Sequence, residues 1–201
     1  MTDKINFRPD LFAAEAKKIS GKASGAKGPP PVHLWNPEFC GDIDMHIKRD
    51  GSWDYMGSVI SRPAMVKLFS TILRHDEDGK YYLVTPVEKV GIRVDDAPFV
   101  AVEMRIEGEG HDQILHFRTN VDDVVILDSD HPLRMAFSAR GEPSPYILVR
   151  SRLEALIARS VYYQLAEMVE ERDGQYGLWS AGSFFALGPI EANPVPIEIR
   201  K

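Results

Sequence analysis

The densest concentration of chemistry-bearing side chains lies between Val84 and Phe99, where Glu88, Lys89, Arg93, Asp95 and Asp96 set five charges in sixteen residues. The same run carries enough apolar side chains to make a buried strand. With Val90, Ile92 and Val94 toward a core, a period of two turns Lys89, Gly91, Arg93 and Asp95 to the opposite face. There Lys89 and Arg93 suit an anion, and Gly91 leaves room for a ligand or a second backbone to approach. Thr85, Glu88 and Asp96 at the strand ends offer hydrogen bonds to a ribose or a base edge. The competing reading is a polar interface between two domains in which Glu88, Lys89, Arg93 and Asp95 simply pair.

Two Ser-Arg steps add candidate anion contacts. Ser61-Arg62 and Ser151-Arg152, the latter preceded by Arg150, each read as the start of a helix, where unpaired backbone N–H groups and the dipole favour a phosphate or carboxylate. A capping serine beside a solvated arginine is the plainer alternative.

A catalytic constellation is harder to assemble. Asp95-Asp96 and Asp122-Asp123 are adjacent pairs, and neighbours on a strand point to opposite faces. Asp128-Ser129-Asp130-His131 has hard ligands two apart, but neither the glycine nor the terminal glutamate of a calcium loop, so neither a metal nor a cofactor is expected. His33, His46, His75, His111 and His116 show no nucleophile at recognisable spacing. Ser24-Gly-Ala-Lys27 spells the S-x-x-K of serine acyl enzymes, yet it sits in a Gly- and Ser-rich linker that fixes nothing. Phosphate-loop and dinucleotide fingerprints are absent, so any nucleotide would bind in a nonstandard way. The aromatic residues Trp53, Tyr55, Tyr81, Tyr82, Trp179, Phe184 and Phe185 suit base stacking less well than they suit a core.

The elements that must hold these residues follow from periodicity. Residues 1–32 read as an arm, with a short helix from Asp10 to Ile19 and then a flexible and proline-stiffened linker. Ile43, Met45 and Ile47 alternate, Asp50-Gly51 turns the chain, and Trp53, Tyr55, Gly57 and Val59 alternate on the return. Ser61 caps a helix with Pro63 in its first turn and an apolar stripe of Met65, Leu68, Phe69, Ile72 and Leu73. Strands follow at Tyr81–Thr85, Val90–Val94, Val100–Ile106, Ile114–Thr119, Val124–Leu127 and Tyr146–Val149. Ser151 and Glu154 then form a capping box for a second helix striped by Leu153, Ile157, Val161, Leu165 and Met168. Asp173-Gly174-Gln-Tyr176 repeats Asp78-Gly79-Lys-Tyr81 after it, a faint ordered repeat. The expected organisation is an arm over 1–32 and two α+β domains over 33–100 and 101–201.

Composition narrows the setting. The net charge of −6 is distributed as +3 over residues 1–30, −3 over 31–100 and −6 over 101–201, which argues against a broad nucleic-acid surface. Nine of the ten basic residues after residue 100 are arginine, favouring forked, directional anion contacts. A single cysteine, Cys40, excludes an internal disulfide framework and reads as a small packed residue in a reducing compartment. Without a membrane-length apolar run or a secretory leader pattern, the expectation is a cytoplasmic protein with no membrane partner.

Several segments together resemble a bacterial family. They are Trp35-x-Pro37-x-x-Cys40-Gly41, Asp50-Gly51-x-Trp53, the Leu68-Phe69 helix, Tyr81-Tyr-Leu-Val-Thr-Pro-Val-Glu-Lys89 and Asp95-Asp-Ala-Pro-Phe99. The chain is similar over roughly residues 33–190 to the "domain of unknown function 1285" family. The resemblance implies a two-domain α+β protein made by duplication, with a second domain superficially like a pleckstrin-homology fold. It also implies a cleft between the domains for a nucleotide-like ligand in signalling, and it brings no catalytic residues. The expected function is therefore a non-enzymatic sensor of a nucleotide-like anion, with a protein partner as a further expectation. The rivals are a protein-interaction module whose charged run is structural, and a hydrolase using Glu88 or Asp95 as base.

Overall fold

The structure, a computed structural model, describes residues 14–19 and 29–189. The Ser24–Lys27 motif and the first part of the predicted arm helix lie outside these residues, while 14–19 are helical (α1) with Ala16 buried. The fold is mixed α+β and rich in sheet, and the chain divides into two compact units, Met1–Pro98 and Phe99–Lys201. The division therefore falls just ahead of the expected one.

The first unit is a six-stranded sheet built from β1 (Phe39–Ile47), β2 (Trp53–Tyr55), β3 (Ser58–Val59), β4 (Leu73–His75), β5 (Tyr81–Val84) and β6 (Lys89–Val94), in the order β3-β2-β1-β6-β5-β4. Neighbours are antiparallel except β1 and β6, which run parallel at the centre. Met45, Ile47, Trp53, Leu83 and Val90 bury one face of this sheet. The helix α2 (Pro63–Thr71) packs on that face through Phe69, whose ring stacks on Trp53 at 6.4 Å between centroids. Pro63 stands at the first helical position as expected, but Arg62, not Ser61, is the N-cap and no side chain caps the helix. The predicted stripe is cut short because Leu73 already belongs to β4.

The predicted return strand is interrupted at Met56-Gly57, where both residues take positive φ, 51° and 75°, and form a two-residue hairpin turn between β2 and β3. Such turns match the twist of the strands but penalise a side chain larger than Asn or Asp at the first position. Met56 is 64% exposed and packs little. Replacing Met56 by Asn is expected to stabilise the protein by about 0.5–1 kcal/mol, read as a rise in the urea midpoint at unchanged slope.

The second unit repeats the strand order with different punctuation. It comprises β7 (Phe99–Glu107), β8 (Ile114–Thr119), β9 (Val124–Ile126), β10 (Leu133–Phe137), β11 (Pro143–Arg150) and β12 (Leu153–Ile157), ordered β10-β11-β12-β7-β8-β9 with β7 and β12 parallel. The helix α3 (Arg159–Ala166) follows β12, and β13 (Glu170–Arg172), β14 (Gln175–Ser180) and β15 (Ser183–Pro189) form a separate antiparallel sheet.

The second unit departs from three expectations. No helix begins at Ser151: Leu153, Ala155 and Ile157 are the buried positions of a strand, and Ser151 sits in a hairpin at φ 49°. Residues four apart share a face in strands and helices alike, so Leu153 and Ile157 fit both periods, and buried Ala155 decides for the strand. Glu154 caps nothing and instead takes both arms of the Arg134 guanidinium at 2.6 Å each. On β7, the stripe Val100–Ile106 changes face at a bulge, because Ala101 pairs with Thr119 but Glu103 with Arg118. Phe99 and Ala101 are buried in place of the predicted Val102 and Ile106, which are 39% and 47% exposed. Finally, the Asp78-Gly79 turn joins β4 to β5 in the six-stranded sheet of the first unit, whereas Asp173-Gly174 joins β13 to β14 in the separate sheet, so the predicted landmarks do not correspond.

Candidate functional site on the charged face of the first sheet

The face of the first sheet opposite α2 carries the chemistry. Strand register sets its side chains in rows across the sheet. Asp54, His46 and Arg93 form one row over β2, β1 and β6, and Asp42, Gly91, Tyr82 and Arg74 form a second over β1, β6, β5 and β4. Lys89 stands opposite Phe39 and Val84 in a third. The period-two expectation that Lys89, Gly91 and Arg93 share a face therefore holds.

Most of these charges are met within the unit. Asp76 receives Arg74 through Nε at 2.5 Å and Nη2 at 2.9 Å, and Lys89 Nζ at 3.1 Å. Arg74 Nη1 also donates to the carbonyls of Val32, at 3.1 Å, and Trp35, at 2.6 Å, tying the segment before β1 to this face. Lys89 lies 4.2 Å over the Tyr82 ring, and the Tyr82 hydroxyl donates to Asp78 at 2.6 Å. That bond to a carboxylate, with burial, pushes the Tyr82 hydroxyl up to about 12. Burial by itself would raise the Asp76 carboxyl, but the bonds from Arg74 and Lys89 outweigh it and hold the group below its ordinary value. Asp96 pairs with Arg49 at 3.1 Å.

Arg93 is set apart from this pattern. Its described contact is an imidazole and not a carboxylate: Nη2 lies 3.0 Å from His46 Nδ1, while His46 Nε2 lies 2.6 Å from Asp95 Oδ1. The guanidinium head is thus held, exposed, by a neutral acceptor. Lys48, the residue after β1, bonds Asp54 at 2.6 Å.

Thr85 is buried, and its hydroxyl accepts from Glu88 N–H at 3.1 Å, so it fixes the β5–β6 turn and presents nothing to a ligand. Glu88 is exposed in that turn. Gly91 does not admit a ligand, because the Asp42 carboxylate lies where its Cβ would project. Arg62 is exposed at the start of α2. Arg150 ends β11, pairs with Asp123 and lies 4.8 Å over the Phe99 ring, while Arg152 is exposed in the hairpin, so neither stands at a helix start. Among the described residues no cluster of three or more His, Cys, Asp or Glu is arranged to hold a metal, and Asp128 closes its own turn by accepting from the Asp130 and His131 N–H groups.

Trp53 and Tyr82 are core residues. Trp179 stacks on His111 at 4.1 Å, donates through Nε1 to Glu170 and lies under Arg172 at 4.9 Å. Sequence reasoning missed His46 and Asp76 as partners of the charged run. Only the parallel pairing of β1 with β6 brings His46 beside Arg93, and that pairing leaves no short-range signal.

Comparisons agree with the two-unit division. Residues 30–97 match the family model "Domain of unknown function (DUF1285), N-terminal domain", and residues 98–187 match "Protein of unknown function (DUF1285), C-terminal domain". The chain is similar to the crystal structure of a DUF1285 family protein from Silicibacter pomeroyi DSS-3, at 55% identity and a TM-score of 0.80, over 90% of this chain and 96% of that one. A DUF1285 family protein from Shewanella baltica OS155 is 27% identical over 61% of this chain and 90% of its own, with a TM-score of 0.49. Among curated proteins none matches. No helix among the described residues is long and apolar enough to cross a membrane.

Proposed function

The chain belongs to the DUF1285 family, and within it we propose a cytoplasmic, non-enzymatic sensor that binds a nucleotide-like anionic small molecule and signals through a protein partner. The observation that carries the reading is Arg93, an exposed guanidinium fork held by an imidazole while its cationic neighbours are matched to carboxylates. A fork of this kind can exchange a neutral acceptor for a phosphate or carboxylate and gain a charge-assisted pair. Asp95 is engaged by His46, which disfavours its use as a hydrolytic base.

The same reading takes the two units as copies of one ancestral sheet, the second of them pleckstrin-homology-like. The shared order of two three-strand meanders closed by a parallel first and last strand supports duplication. The helix α3 after β12, the last strand of the second six-stranded sheet, supports the likeness.

Thermal unfolding against nucleotides, dinucleotides and small phosphorylated metabolites tests the sensor. A ligand at about ten times its dissociation constant adds about 1.4 kcal/mol, a rise of a few degrees. Arg93→Ala is expected to erase that rise while leaving the unliganded midpoint nearly unchanged. The reading fails if the variant keeps the full rise, or if nothing in the panel produces one. Loss of the rise in Arg93→Ala but not in Arg152→Ala assigns the ligand to the first unit.

A further inference from the structure

We infer that His46 is a proton-operated latch on Arg93, so that acidification releases the guanidinium and strengthens anion binding at this face. The link to anion binding rests on the reading of Arg93 above; the latch itself rests on geometry alone.

A guanidinium has only donors, so the 3.0 Å approach of Arg93 Nη2 requires His46 Nδ1 to be an unprotonated acceptor. The ring proton of the neutral imidazole must then sit on Nε2, where Asp95 Oδ1 accepts it at 2.6 Å. Both ring nitrogens are engaged, and the His46 side chain is only 16% exposed. A second proton has one place to go, Nδ1. Its arrival sets two donors and two positive charges against each other at the Arg93 contact, while the pair with Asp95 gains full charge. The ring keeps Asp95 and Arg93 lets go.

The groups around His46 fit this outcome. On β2, directly opposite in register, stands Asp54, whose Oδ1 is buried without a hydrogen-bond partner among the described residues and whose Oδ2 takes Lys48. From the segment after β6 come Asp95 and, paired with Arg49, Asp96. Asp42 and Asp44 lie on β1 itself. Carboxylates thus stand on β2, on β1 and in the segment after β6, whereas β6 itself brings Arg93, and Lys48 follows β1. Arg93, exposed at the surface, loses little by swinging into water, where an anion can take it.

The test uses the isotope-labelled full chain. At pH 8 the ring nitrogens of His46 should report protonation at Nε2 and a bare, hydrogen-bonded Nδ1. On titration to pH 5 the Arg93 side-chain signals should move with the same midpoint as the His46 ring. A bare Nε2 at pH 8, or Arg93 signals that do not follow the ring, overturns the latch. His46→Asn places a carbonyl acceptor that does not titrate near the Nδ1 position, and Arg93 should then be insensitive to pH.

The consequence for binding is read with sulfate, whose charge is constant over this range. Wild-type affinity should rise about tenfold between pH 8 and pH 5.5, beyond any rise in His46→Asn. Equal pH dependence in both proteins overturns the latch as a regulator. No sulfate binding at Arg93 at either pH, with the Arg93 signals still following the His46 ring, leaves the latch standing and removes the anion-sensing reading.

Discussion

Replacing Asp76 by alanine is expected to cost about 2–3 kcal/mol of stability at neutral pH, a large effect for a polar residue at the surface of a sheet. The carboxylate stands between Arg74 and Lys89, whose side chains are only 15% and 19% exposed, and it is the described counter-charge of both. Removing one partner of a shielded ion pair leaves the others desolvated and unmatched, which costs up to about 3–5 kcal/mol when burial is complete. Fully exposed pairs contribute about 0–1 kcal/mol, and partial access to water places Asp76 between these limits. Arg74 also holds the carbonyls of Val32 and Trp35, so the loss should spread to the segment ahead of β1.

The pH dependence follows from the lowered Asp76 carboxyl. Its contribution is fully present above the usual carboxylate value and disappears as pH falls through the lower value of the folded state. Urea unfolding of wild type and Asp76→Ala should therefore differ by a constant amount near neutrality and converge below about pH 4. A difference that persists undiminished in acid would show that lost packing, and not charge, sets the cost. Asp76→Asn, which keeps the shape, should behave like the alanine variant if charge is the cause.

Part of this arrangement is legible in the sequence and part is not. The alternation of Val90, Ile92 and Val94 correctly turned Lys89, Gly91 and Arg93 to one face, because strand geometry is local. The partners on that face were not legible: His46 lies 47 residues from Arg93 and reaches it only through the parallel pairing of β1 with β6, and Asp76, 13 residues from Lys89, meets it only once β4, β5 and β6 fold into a meander. Thr85 was misread because buried hydroxyls that brace a turn and exposed ones that bind a ligand have the same sequence. The helix expected at Ser151 failed for a different reason. A serine followed three residues later by glutamate is a capping box only if the backbone between them is helical, and the pairing of β11 with β12 wins that competition by burying Leu153, Ala155 and Ile157. The six-strand order shared by the two units was hidden for the same cause, since the helix falls between β3 and β4 in one and after β12 in the other.

The separate sheet β13–β15 yields the second large expectation, at Gly177. This residue is buried in β14, and a methyl group added there would meet Phe184 Cε1 at 2.6 Å and the Phe185 carbonyl oxygen at 2.7 Å. A ring can turn aside, but the carbonyl belongs to the neighbouring strand and moves only with the pairing of β14 and β15, which already shifts register between Tyr176 and Gly177. Forcing even one methyl into such a contact costs about 1–3 kcal/mol, and the backbone clash puts Gly177→Ala at the upper end. The damage should be local before it is global. Phe184 meets Trp179 edge-on at 5.5 Å, and Trp179 carries the stack with His111, so its fluorescence should shift at temperatures where the six-stranded sheets remain intact. Thermal unfolding followed by tryptophan emission and by far-ultraviolet circular dichroism separates the two stages. Coincident transitions at the wild-type midpoint would mean that β15 gives way without loss, and that the close approach at Gly177 is not what holds this sheet together.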